Sequence, residues 1–66
     1  MNVTINGEAR EIPQGLTVGS LLEHLKMPRD RVAIERNREI VPRPQWNETH
    51  VLPNDVFEIV HFVGGG

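Results

Sequence analysis

Met1, Val3 and Ile5 alternate with Asn2 and Thr4, a period of two that predicts a half-buried strand, and Asn6-Gly7 follows at once. A two-residue type I′ turn needs positive φ at both central positions, which Asn tolerates and Gly adopts without steric cost. The pair predicts a hairpin whose return strand runs from Glu8 to Ile12, before Pro13-Gln14-Gly15 breaks the ladder. Thr17 then stands where an N-cap belongs. Val18, Leu21, Leu22 and Leu25 recur at helical spacing, with Glu23, His24 and Lys26 on the other side. Pro28 disfavours helical geometry at Met27, so the helix is expected to be short, roughly nine or ten residues.

Val32, Ala33 and Ile34 predict a third strand, and after the polar apex Asn37-Arg38 the segment Glu39 to Val41 reads as its partner, stopped by Pro42 and Pro44. Arg43 to Thr49 reads as a surface crossover in which a half-buried Trp46 anchors the loop against the sheet. Pro53-Asn54-Asp55 predicts a turn. The last segment, Val56 to Val63, is apolar at both parities: Val56, Val60 and Phe62 on one, Phe57, Ile59 and Val63 on the other. Such a strand belongs in the middle of a sheet. A hairpin, a helical crossover, a strand pair and a late central strand parallel to the first give an α+β, β-grasp (ubiquitin-like) arrangement, a mixed four- to five-stranded sheet with one main helix across one face. Residues 1–63 form the domain and residues 64–66 a flexible glycine tail.

Length changes the picture by limiting the core. A chain of 66 residues buries only about 60% of its unfolded surface, so there is one marginal core and no second domain. The absence of cysteine removes disulfides and zinc-thiolate sites. Seven basic against nine acidic residues lack the basic excess of a phosphate-backbone binder, so nucleic acid is not an expected partner. No segment approaches the roughly 18 apolar residues of a membrane span, and no leader pattern opens the chain, so a cytoplasmic location and no membrane partner are the expectation.

Conventional active-site chemistry is hard to assemble from these residues. His24, His50 and His61 do not fall at metal-ligand spacing. Glu35, Glu39, Glu48 and Asp55 sit in or beside turns, where carboxylates are ordinarily solvated, and Ser20 lies in the first helical turn with no base at a recognisable spacing. Arg29, Arg31, Arg36, Arg38 and Arg43 are interleaved with Asp30, Glu35 and Glu39, which reads as a mixed solvated surface. The unusual feature is the end, where an apolar strand runs into Gly64-Gly65-Gly66. Either these glycines are a frayed or added end, or they present the α-carboxylate of Gly66 to another protein. Without β-carbons they can thread a narrow channel. No helix follows them, which excludes a phosphate-cradling loop.

Several segments together resemble the ubiquitin-like sulfur carriers, the ThiS-like carriers of thiamin biosynthesis in particular. They are Asn2-Val3-Thr4-Ile5-Asn6-Gly7, Thr17-Val18 with Leu21-Leu22, Val32-Ala33-Ile34-Glu35-Arg36-Asn37, Val41-Pro42-Arg43 with Trp46, and Glu58-Ile59-Val60-His61-Phe62-Val63 leading to the glycines. The resemblance implies that the chain is not an enzyme and binds no cofactor or metal itself. It implies that an E1-like adenylyltransferase of the ThiF type uses MgATP to adenylate the carboxylate of Gly66. A sulfur donor protein then supplies the sulfur of a thiocarboxylate, and a thiazole synthase of the ThiG type receives it. Gly64, Gly65 and Gly66 would enter the partner's active site. Phe57, Ile59 and Phe62 are the candidates for partner contact on whichever face the helix leaves open. The alternatives are a carrier of another pathway, of the molybdopterin-synthase small-subunit type, and a non-catalytic ubiquitin-like interaction module or conjugated modifier. One departure is Leu52-Pro53-Asn54-Asp55-Val56, where relatives often place a Gly between acidic residues.

Overall fold

A computed structural model of the chain describes residues 1–62. Strand β1 (Asn2–Ile5) and strand β2 (Glu8–Glu11) form the expected hairpin, with Asn6 at φ 51° and Gly7 at φ 82° as a type I′ turn requires. Helix α1 (Val18–His24) follows, then strand β3 (Val32–Arg36), the two-residue strand β4 (Glu39–Ile40) and strand β5 (Val56–His61). The five strands lie in the order β2-β1-β5-β3-β4, with β5 parallel to β1 and the other neighbours antiparallel. Inserting the last strand between the first and third joins two hairpins into one sheet.

Thr17 caps α1 reciprocally: its hydroxyl accepts from the Ser20 N–H at 3.2 Å, and the Ser20 hydroxyl accepts from the Thr17 N–H at 2.8 Å. This capping box gives the chain's one serine a local structural role. The helix ends three residues before Met27, earlier than the sequence pattern predicts. Leu25 is the C-cap, Lys26 turns left-handed at φ 60°, and Met27 donates to the Leu22 carbonyl while Lys26 donates to that of Glu23. That is a Schellman stop with lysine where glycine is usual, so Pro28 lies outside the helix. Arg38 has the same left-handed geometry, φ 73°, in the β3–β4 turn. Replacing Lys26 or Arg38 with glycine relieves a β-carbon clash and is expected to stabilise the fold by about 1 kcal/mol each. Thermal denaturation checks this, with each variant's Tm rising by roughly 4–8 °C.

The core gathers Val3 and Ile5 from β1, Val32 and Ile34 from β3, Phe57 and Ile59 from β5, and Val18, Leu21 and Leu22 from α1. Ile12, Val41, Trp46 and Val51 close its ends. Two asparagines complete the backbone pairing of β5 where its neighbours stop. The Asn6 side chain donates to the Ile59 carbonyl at 3.2 Å and accepts from the Ile59 N–H at 2.7 Å, just past the end of β1. Asn37, in the other turn, accepts from the Val56 N–H at 2.9 Å and donates its own N–H to the Val56 carbonyl at 2.7 Å. The Asn6 side-chain amide, and the Asn37 side-chain oxygen with its backbone N–H, stand in for a strand, so both hairpin turns lock the central strand. No helix among the described residues is long and apolar enough to cross a membrane.

Candidate functional site

β5 ends at His61 and Phe62 is the last described residue, so the expected tail residues Gly64, Gly65 and Gly66, and Val63 before them, lie outside the described residues. Two of the three expected contact residues need correction. Phe57 is fully buried and Ile59 is 5% exposed, both within the core shared with α1, so neither can offer a surface to a partner. Their parity follows from the register, which sets Phe57 beside Ile5 and Ile59 beside Ile34, both core-facing. Phe62, one residue past β5, is 55% exposed, and the exposed apolar residues of β5 itself are Val56 and Val60, at 44% and 57%. Thus β5 is central in the sheet, but only one of its apolar faces is covered.

Register extends this open face across neighbouring strands. Ala33 lies opposite Val60, Glu35 opposite Glu58, and the exposed Ile40 opposite Glu35. Ala33, Ile40, Pro42, Trp46 and Phe62 help to line a shallow groove of about 190 Å3. An apolar strip thus borders the point where the chain leaves the sheet, a feature that marks contact surfaces on small proteins.

That exit is held from the crossover. Phe62 donates its N–H to the Arg31 carbonyl at 2.8 Å, one step beyond the Val32–His61 pair. The guanidinium of Arg43 donates to the carbonyls of Arg29 and Val32, the latter at 2.9 Å, and lies 4.9 Å from the centroid of the Trp46 ring. Trp46 is not half-buried as expected: it is 2% exposed, and its indole N–H donates to the Val41 carbonyl at 2.7 Å. Helix α1 is tied to the same crossover, since Val18 and Gly19 donate to the carbonyls of Thr49 and Trp46.

Asp55 also departs from expectation. It is 5% exposed, and one carboxylate oxygen accepts from the Arg36 Nε and the Leu52 N–H, both at 2.8 Å, while the other accepts from the Asn37 side chain at 3.1 Å. Burial pushes its pKa upward, but the hydrogen bonds from Arg36, Leu52 and Asn37, with the Arg36 charge, outweigh that and hold the carboxyl below its usual range. Asn54 before it adopts φ 69°, so asparagine supplies the left-handed residue that this turn needs. Asp55 is therefore a strut of the turn that launches β5. His24, His50 and His61 are exposed, and among the described residues no three His, Asp or Glu side chains gather as a metal site.

Comparison with known proteins places these features in a lineage. The ThiS family model matches residues 3–66. The sulfur carrier protein ThiS of Escherichia coli is 33% identical over 66 residues, covering all of both chains, and that of Bacillus subtilis is 42% identical over 50 residues, 76% of each. A thiazole synthase of Paramagnetospirillum magneticum is 44% identical over all 66 residues, and the chain spans only 20% of that protein's length. The same share holds for the thiazole synthase of Magnetococcus marinus, 36% identical. The crystal structure of the thiamine biosynthesis protein ThiS from Geobacter metallireducens superposes with a TM-score of 0.85 at 35% identity, each chain fully covered.

Proposed function

The chain belongs to the ThiS family, and on that premise we propose that it is a sulfur carrier of thiamin biosynthesis whose cargo is held at Gly66. The observation that carries this reading is the reach of the family match, which runs through the glycines to residue 66. The β-grasp domain is then a handle and the glycines the working end.

A carboxylate is a poor electrophile at neutral pH, so sulfur cannot displace its oxygen directly. An E1-like adenylyltransferase supplies the leaving group: a Gly66 carboxylate oxygen attacks the α-phosphorus of MgATP and pyrophosphate departs, leaving an acyl-adenylate. Bisulfide then adds to the carbonyl carbon, the bond to AMP breaks with its electron pair on AMP, and a proton is released. The product is a thiocarboxylate, reached with no change of oxidation state. The likeness to thiazole synthases supports a thiazole-forming enzyme as the acceptor. What this chain contributes is recognition and reach. The open face with Val56, Val60 and Phe62 docks the partner, and glycines without β-carbons extend into its catalytic cleft.

Two measurements test the reading. Pyrophosphate release from MgATP by an E1-like adenylyltransferase is expected to depend on the chain, and release that ignores it counts against the proposal. Val60→Asp puts a charge in the apolar strip without touching the core, and is expected to weaken association with that enzyme by roughly tenfold or more, read by calorimetry. Its Tm should stay at the wild-type value. Unchanged affinity would move the docking surface elsewhere.

A further inference from the structure

We propose that Arg43 is a positioning residue for sulfur loading, fixing the point and direction in which the chain leaves the sheet at Phe62. The inference rests on the proposed carrier function and adds to it a residue remote from the glycines in sequence.

The geometry is specific. β4 ends at Ile40, and the last backbone bond on that edge of β3 is from the Val41 N–H to the Ile34 carbonyl. Among the described residues no strand pairs with the carbonyl of Val32 on β3 or that of Arg29 in the preceding turn, and Arg43 supplies donors to both. Between these two carbonyls in sequence lies that of Arg31, the one that accepts from Phe62. The guanidinium thus grips the segment Arg29 to Val32 on either side of the hydrogen bond that holds the last described residue. Its own position is set by the Trp46 ring, which is in turn pinned through the Val41 carbonyl. Pro42 and Pro44 flank Arg43 and stiffen the crossover that presents it. A planar fork suits two carbonyls at once, whereas the point charge of lysine does not.

The consequence is entropic. A docked carrier delivers Gly66 efficiently only if Phe62 is held in a fixed place relative to the open face. Loosening Arg29 to Val32 frees Phe62, and the freedom must be lost again at each encounter.

Arg43→Ala and Arg43→Lys test this with two readouts. Hydrogen exchange at the Phe62 amide is expected to accelerate about tenfold or more in both, relative to the Thr4 amide, which bonds to the Asp55 carbonyl on the other side of β5. For adenylation by an E1-like enzyme, KM for the carrier should rise roughly tenfold with kcat nearly unchanged, since only the ordering before chemistry is lost. Equal acceleration at Phe62 and Thr4 means general destabilisation and overturns the proposal. So does an unchanged Phe62 amide, or a lysine variant that keeps wild-type KM while its Phe62 amide is loosened, because charge alone would then suffice. If Arg43→Ala does not fold, the lysine variant carries the same test. The exchange readout needs no partner, so it stands or falls separately from the carrier function.

Discussion

Deleting Gly66 is expected to abolish sulfur loading while leaving Tm and the folded spectrum as they are. Gly66 lies beyond β5, and every core residue lies before it in sequence. Stability and the proposed function therefore separate along the chain. The shortened chain still ends in a glycine carboxylate, so its chemistry is unchanged and only its reach is cut, by about 3.5 Å. Positioning errors of an ångström or so can cost about 100-fold in rate, and a shortfall of a full residue should cost more. Gly65→Leu tests the neighbouring requirement. The reach is kept, but a branched side chain now has to follow the path proposed for backbone alone, and a loss of about 100-fold or more in kcat/KM is expected. Loading kinetics measured beside a thermal melt check both variants. Normal loading by either one would contradict the idea that the end of the chain is the working group.

The second large effect concerns stability. Asp55→Ala removes the acceptor for the Arg36 guanidinium, the Leu52 N–H and the Asn37 side-chain amide together. Leaving a half-buried cation and two donors without a partner should cost about 3 kcal/mol, a large share of what so small a domain possesses. The Tm is expected to fall by roughly 10–20 °C. Because Asn37 also pairs with Val56 through its other amide atom, the loss should reach the start of β5. The pH dependence has a definite sign. The folded carboxyl titrates below the ordinary aspartate value of 3.8, so its contribution is complete above that value and is lost as pH falls through the lower folded one. Urea unfolding between neutral pH and the acid range should show the gap between wild type and Asp55→Asn narrowing as the solution is acidified. A constant gap would mean that the charge on Asp55 does not stabilise the fold.

Much of the architecture was legible because its signals are local. Asn6-Gly7 announces its turn through two residues, Thr17 announces the helix through one hydroxyl, and alternation in Met1 to Ile5 marks a strand with a single apolar face. Legibility failed where a residue's role depends on something distant. Asp55 reads as a turn carboxylate, and the groups that bury it, Arg36 and Asn37, stand 19 and 18 residues away. Helix α1 reads too long because Pro28 is a visible stop, whereas a lysine turning left-handed carries no compositional mark. The choice between Phe57 with Ile59 and Val56 with Val60 was closed to inspection, since β5 is apolar at both parities. Only pairing with Ile5, whose strand is apolar on one face, decides it. Arg43 looks like one of five interleaved arginines, and its grip on two carbonyls depends on where β4 stops. The glycines were legible from composition, and the family match extends through them.

Intact-protein mass spectrometry before and after incubation with an E1-like adenylyltransferase, MgATP and sulfide tests the carrier function most directly. The expected result is a rise equal to the exchange of one oxygen for one sulfur, dependent on MgATP and localised by fragmentation to Gly66. An unchanged mass across several competent adenylyltransferases, or sulfur placed on any other residue, would contradict it.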